Sequence, residues 1–213
     1  MKKIRTLVAG AIGAAVIVGG SLTASPAQAR AQAPSILDIV VGSLNNNGGQ
    51  ATDRRWNDFD ILANVVVALE LGDAVAGLNG ATVFAPTDAS FRGLVADLTN
   101  TPIWKLSEAD VLNTLAVLAA DPNFRPALTT TVLYHVSPNN VTDLFHSRAA
   151  IATVGGPEIR PIPLRVSAIL RDGDPTDLDP FVVGKPITAS NGTVYVIAGV
   201  LRPIELRDIF PAD

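Results

Sequence analysis

The stretch Ala81–Leu94 reads Ala-Thr-Val-Phe-Ala-Pro-Thr-Asp-Ala-Ser-Phe-Arg-Gly-Leu and leaves a chain few ways to fold around it. Thr82, Val83 and Phe84 suit a packed, pleated surface. Pro86 has no amide hydrogen for a sheet ladder and ends the strand. Thr87 stands where an N-cap hydroxyl accepts from an orphan helix amide, and Asp88 meets the positive end of the helix dipole. Phe91 and Leu94, three residues apart, point to one side of that helix. The stretch is therefore expected to be a buried strand that turns at once into a helix. Nothing in it supplies chemistry.

The segments before it are helical. Ser35 caps a helix that opens with Ile36 and runs to about Gly42, and the turn-rich Asn45–Gln50 ends it. Residues 43–57 read as a surface insertion. In Asp58–Leu71, Ile61, Leu62, Val65, Val66 and Leu69 form one apolar face with a period near 3.6. Asp58 and Asp60 sit at the favourable end of that helix, and Gly72 is the expected C′ residue. Their closeness suggests a metal or acid–base pair, but capping and helix-end electrostatics account for both.

After the corner, Ser107-Glu-Ala-Asp110 opens a further helix with a capping-box pattern, and Val111, Leu112, Leu115, Leu118 and Ala119 form its stripe. Phe124–Val136 has helical spacing, but Thr129, Thr130 and Thr131 leave a strand as a rival. The C-terminal third changes character. Apolar runs at Ala149–Val154, Ile159–Val166, Ile169–Leu170, Phe181–Val183 and Val194–Ile197 alternate with turns at Gly155-Gly156-Pro157 and Asp172-Gly173-Asp174-Pro175. A mainly antiparallel β half after a helical half means α+β.

Thr82-Val-Phe-Ala-Pro-Thr-Asp-x-x-Phe91 resembles the first signature box of fasciclin-type domains, extracellular modules tied to adhesion and surface recognition. Asp58-Phe-Asp-Ile-Leu62 occupies the place of the family's preceding helix. Leu133-Tyr-His-Val136 resembles its Tyr–His landmark, and on that resemblance Phe124–Val136 is a helix. Asn191-Gly-Thr-Val-Tyr-Val-Ile-Ala-Gly-Val-Leu-Arg-Pro203 is similar to the second box, with Tyr195 where the family's His usually stands and Ala198 where its Asp does. Any polar interaction of that His and Asp is not carried over. The resemblance implies a fasciclin-like α+β fold, a helical half packed on a wedge of two small, mainly antiparallel sheets. It also implies a binding role for the region of Tyr134 and His135.

Residues 1–29 read as a secretory signal of bacterial type. Lys2, Lys3 and Arg5 precede the uncharged run Leu7–Gly20, and Ala27-Gln28-Ala29 offers a small-x-small cleavage site. The run is shorter than the ~20 residues of a spanning helix, and no other run approaches that length, so no integral membrane segment is expected after cleavage. The signal holds three of the 16 basic residues and none of the 20 acidic ones, which leaves the remainder at −7. So acidic a chain, with four lysines in all, has no footprint for nucleic acid or anionic lipid. Zero cysteines exclude a disulfide framework and thiolate metal sites. Residues 30–34 are a leader, 35–208 a single domain with no internal repeat, and 209–213 a tail.

No nucleophile elbow, phosphate-cradling loop or His-based metal motif appears, so no enzyme activity, metal or cofactor is expected. His135 reads as a structural histidine bonded to backbone near a helix end. Asp172, Asp174, Asp177 and Asp179 crowd into one loop, but the EF-hand pattern fails: its glycine position is Asp177 and its Glu position Val183. A solvated acidic turn is expected there, with a weak calcium site as the lesser alternative. Asn140-Val-Thr142 and Asn191-Gly-Thr193 match glycosylation acceptors but read as turn chemistry. The expected function is an exported, non-enzymatic adhesion or recognition module for a cell-surface, matrix or envelope protein or glycan. The alternative is an extracellular carrier of a small apolar molecule or lipid, held between helices and sheet.

Overall fold

The computed structural model describes residues 33–46 and 52–205. The expected signal, most of the leader, the centre of the insertion and the tail lie outside them. The helical half consists of α1 (Ile36–Asn46), α2 (Asp60–Ala68), α3 (Gly72–Ala76), α4 (Asp88–Leu98), α5 (Glu108–Ala120) and α6 (Arg125–Tyr134). The strands are β1 (Ala81–Pro86), β2 (Val136–Ser137), β3 (Arg160–Pro163), β4 (Ala168–Arg171), β5 (Phe181–Val182), β6 (Ile187–Ala189) and β7 (Gly192–Ala198). This is the α+β class expected. None of the described helices is long and apolar enough to cross a membrane.

The sheet runs β2-β1-β7-β5-β4-β3, with β6 added on β7. β1 and β7 are parallel from Ala81↔Gly192 to Pro86↔Ile197, and every other pair is antiparallel. β6 takes the first half of the free edge of β7 and β5 takes its end. The sheet thus divides along β7 into two leaves, which is the wedge expected, joined through one shared strand.

Two cores follow from the period-2 alternation of the central strands. Val83, Ala85 and Val194 face a core built with α1, α2, α4, α5 and α6, whereas Phe84, Tyr195 and Ile197 face a second core with Leu144, Ile159 and Leu170. The ring of Phe84 stacks on Tyr195 at 5.9 Å, and Phe145 meets Tyr195 edge-on at 6.0 Å.

Local chemistry accounts for most element ends. Ser107 and Asp110 form the full capping box of α5, the Ser107 amide donating to Asp110 Oδ2 at 2.8 Å and the Asp110 amide to Ser107 Oγ at 3.2 Å. Ser35 and Asp38 do the same for α1. That helix continues to Asn46, past the expected stop. α2 ends earlier than its apolar face suggests. Glu70 adopts φ +61°, and the amides of Glu70 and Leu71 donate back to the carbonyls of Val67 and Val66. This is a Schellman closure with Glu70, not Gly72, at C′; Gly72 instead begins α3. Thr87 does cap α4 by position, but its hydroxyl pairs with Ser90 Oγ at 3.1 Å and not with a helix amide.

The β half departs from expectation in two places. Residues 149–154 form no strand and contribute only the bridge Ile151↔Ile159. Gly155 is less a turn residue than a point of close approach. A Cβ there would lie 2.3 Å from the Thr130 carbonyl oxygen and from the Tyr134 nitrogen of α6. The turn before β7 is Ser190-Asn191, and its Asn serves as a clamp. Asn191 Oδ1 accepts from the Ile36 amide at 2.8 Å, and its Nδ2 donates to the Leu78 carbonyl at 2.9 Å.

Candidate functional site

Four places bring chemistry-bearing side chains together. The first is the Tyr134–His135 landmark. His135 is 5% exposed and forms the C-cap of α6. Its Nε2 accepts from the Leu201 amide at 2.9 Å, so the ring proton sits on Nδ1 and is donated to the Thr131 carbonyl at 2.7 Å. Burial pushes this imidazole down to about 4, with the Thr131 carbonyl opposing. It is neutral and has no free nitrogen, the structural role expected. Tyr134 is fully buried in the second core, and burial raises its hydroxyl, the Asp172 charge adding to the effect. Both rings therefore lie beneath the surface. His135 fixes Leu201 in the segment after β7, and Tyr134 packs beneath Gly156 in the turn before β3.

The second place is the acidic turn at 172–179, which is solvated at residues 175–178 but buried at Asp174. Arg202, 5% exposed, lies inside it. Its guanidinium reaches Asp97 and Asp177 at 2.8 Å each and Asp174 at 3.6 Å, while its amide donates to Asp172 Oδ2 at 2.8 Å. Gly173 lets the loop close on this segment, since a Cβ there would lie 2.1 Å from the Pro203 carbonyl oxygen. Burial pushes Asp172 up to about 6, against the amides of Arg202 and Asp174. An internal cation thus occupies the centre that the sequence left to water or weakly bound calcium. No local spacing announced it, because Asp172 and Arg202 lie 30 residues apart.

The third place is a groove of about 640 Å³ between α4 and the end of the sheet. Ser90, Gly93 and Leu94 supply one wall, and Leu178, Phe181 and Val200 the other. Its rim is apolar and open: Leu178 is 89% exposed, Leu164 49% and Phe181 48%, with Val166 at 80% close by in sequence. The groove adjoins the His135 arrangement, since Val200 and Arg202 line it and flank the Leu201 that His135 holds. Sequence reading missed the rim because Leu164, Val166 and Phe181 look like strand interior.

The residues expected at the α2 start also gather. Asp88 is fully buried, and its Oδ1 accepts from the Ile61 amide at 3.0 Å, so it serves α2 and not only its own helix. Burial pushes Asp88 up to about 9, against the Ile61 amide, with the Asp58 charge adding. Asp58 is raised by burial and then by the charges of Asp60 and Asp53. Glu108 is raised by burial, opposed by the amides of Arg54 and Asp53. The two glycosylation-like asparagines are engaged: Asn191 as the clamp described above, and Asn140 by accepting from Thr193 Oγ1 at 2.8 Å.

A helical half on a β wedge, closed by a strand–helix corner and a C-terminal hairpin, defines a single α+β module, and the known proteins it matches agree. The fasciclin domain family model matches residues 57–203. The chain belongs to the fasciclin domain family. Its structure is similar to a FAS1 domain pair from the insect cell adhesion molecule Fasciclin I, with a TM-score of 0.52 and 14% identity over 84% of this chain. The chain spans about half of that protein, 53% of its length. No curated protein matches it significantly.

Proposed function

We propose that this chain is an exported, non-enzymatic recognition module of the adhesion type, which engages a cell-surface, matrix or envelope protein or glycan. The observation that carries the reading is the apolar rim of Leu164, Leu178 and Phe181 around an open groove. Clustered apolar surface with polar neighbours marks interaction sites more often than it occurs by chance on a monomer. His135 contributes as a positioning residue that holds the 199–203 segment against this face, and Tyr134 supports it from the core beneath Gly156. Residues 35–208 make the module, with 43–57 as its surface insertion, behind a bacterial-type signal at 1–29 and a leader at 30–34; residues 209–213 are a tail.

The test is binding of residues 30–213 to intact cells and envelope fractions, with heat-unfolded protein as control. Saturable binding by the folded form, weakened at least about tenfold in the double variant Leu178→Asp/Phe181→Ser, supports the reading. Absence of saturable binding to every fraction sinks it.

A second reading, a carrier of a small apolar molecule or lipid, is favoured by the groove itself. Its volume falls within the roughly 300–1,000 Å³ of small-molecule sites. Gly93 offers a clean test, because a Cβ there meets nothing within 4 Å. Gly93→Leu adds bulk to the groove wall from an unobstructed Cβ, and a ligand seen by native mass spectrometry in the parent should be missing from the variant.

A further inference from the structure

We propose that the carboxylates gathered at the N-termini of α2, α4 and α5 form a binding site for a hard divalent cation of the calcium class. Asp60, Asp88 and Glu108 are the first residues of these three helices. With Asp53 and Asp58 from the segment before α2, they make two overlapping triads, Asp53–Asp60–Glu108 and Asp58–Asp60–Asp88. One oxygen from each member lies within 4.8 Å of the others in its triad.

Acidic clusters occur without any ion, and helix N-termini favour carboxylates by themselves. What distinguishes this one is how the oxygens are used. Asp88 is fully buried and Glu108 4% exposed. In each, one oxygen is held by backbone: Asp88 Oδ1 by the Ile61 amide at 3.0 Å, Glu108 Oε2 by the amides of Arg54 at 2.6 Å and Asp53 at 3.1 Å. The second oxygens, Asp88 Oδ2 and Glu108 Oε1, are buried and accept from no N–H or hydroxyl group among the described residues, and the same holds for Asp58 Oδ1; what Asp88 meets instead are the carboxyl groups of Asp58 and Glu108. A carboxylate oriented by backbone through one oxygen, with the other turned toward further carboxylates, is the arrangement of a metal ligand with its outer-shell donors.

No described Lys, Arg or His forms an ion pair with Asp58, Asp88 or Glu108. One cation reaches the edge of the cluster, Arg55 pairing with Asp53 of the first triad at 3.4 Å, whereas Arg92 lies over the Trp56 ring at 4.3 Å and donates to the Leu106 carbonyl. The donors are all oxygen, which selects calcium or its relatives over zinc or copper.

The experiment is a calcium titration of the purified, chelator-stripped protein followed by thermal unfolding, with terbium luminescence excited through tryptophan as a second readout. A saturable rise in melting temperature by about 1 mM calcium is expected, in the range of extracellular calcium modules. Asp88→Asn and Glu108→Gln keep the oxygen that accepts from backbone and remove the ligand charge. Each should fold in chelator and bind calcium at least about tenfold more weakly, because a charged ligand is lost. Asp177→Asn, in the Arg202 cluster, should keep the calcium response of the parent. No calcium-dependent shift and no terbium signal in the parent would overturn the site and leave shared protons as what holds these carboxylates together. So would a response that persists unchanged in both variants. Because the readouts are stability and luminescence, the result stands apart from whether the groove face binds a partner.

Discussion

Two groups of carboxylates lie at the two ends of α4, and the protein neutralises only one of them with a buried cation. At the sheet end, Asp97, Asp174 and Asp177 surround the buried guanidinium of Arg202. At the helix end, Asp58, Asp88 and Glu108 have no such partner among the described residues, and all are raised by burial. Both draw mainly on acids placed by turns and helix starts, Asp97 near the end of α4 being the exception. The difference shows that a favourable local position for an acid says little about its charge state. That is set by what arrives from elsewhere in the chain: Arg202 in one case, further carboxylates in the other.

The largest test of this contrast is removal of the internal cation. Arg202→Met leaves Asp174, 1% exposed in its side chain, without its charge partner in a buried setting. Breaking a buried pair on one side costs about 3–5 kcal/mol. Denaturant unfolding should therefore show a large fall in midpoint. A fall of less than about 1 kcal/mol would mean that the sheet-end acids are as tolerant of isolation as surface ones.

At the helix end the sign reverses, and pH exposes it. Asp88 is held at about 9 against an ordinary value of 3.8. Between those values the native protein keeps a proton that the unfolded chain has released, so stability falls as pH rises through this window. The groups facing Asp88 are Asp58 and Asp60 on the α2 side and Glu108 on α5, all acids, so none reverses the sign. His135, lowered from 6.5 to about 4, acts oppositely: its contribution is lost as pH falls through 6.5 toward 4. From pH 7 to 9 the acid trend stands clear of it. In chelator the parent should lose stability across that interval, and Asp88→Asn should flatten the slope while standing at or above the parent at pH 8. A parent curve level from pH 7 to 9 in chelator would refute the raised carboxyl.

What could be read from the sequence was local. The corner at Ala81–Leu94, the Ser107–Asp110 box and the hairpin before β7 each rest on residues within a few positions of one another, and the first two stand where expected while the hairpin turn is shifted one residue, to Ser190-Asn191. What could not be read was convergence. Asp53 and Glu108 meet across 55 residues, Asp88 and Ile61 across 27, and His135 and Leu201 across 66. A carboxylate in a first helical turn looks the same whether it faces water, an amide of another helix or a second acid. Hence Asp58 and Asp60 read as capping groups, and the 172–179 loop read as solvated. Glycine misled in the same way. Gly155 and Gly173 resemble turn residues, yet each is required by backbone passing within van der Waals distance of its Cα.

The smallest expected effect sharpens the comparison most. Asp177 pairs with Arg202 at 2.8 Å, as short a contact as that of Asp97, but its side chain is 39% exposed. Water screens such a pair, and its contribution is about 0–1 kcal/mol. Asp177→Asn should therefore shift the unfolding midpoint barely at all, although it removes one of the shortest ion pairs in the molecule. Arg202 would still hold Asp97 at 2.8 Å and Asp174 at 3.6 Å, so the guanidinium remains neutralised. A loss comparable to that of Arg202→Met would mean instead that the sheet-end acids act as one cooperative unit. Burial would then no longer separate the pairs that matter from those that do not.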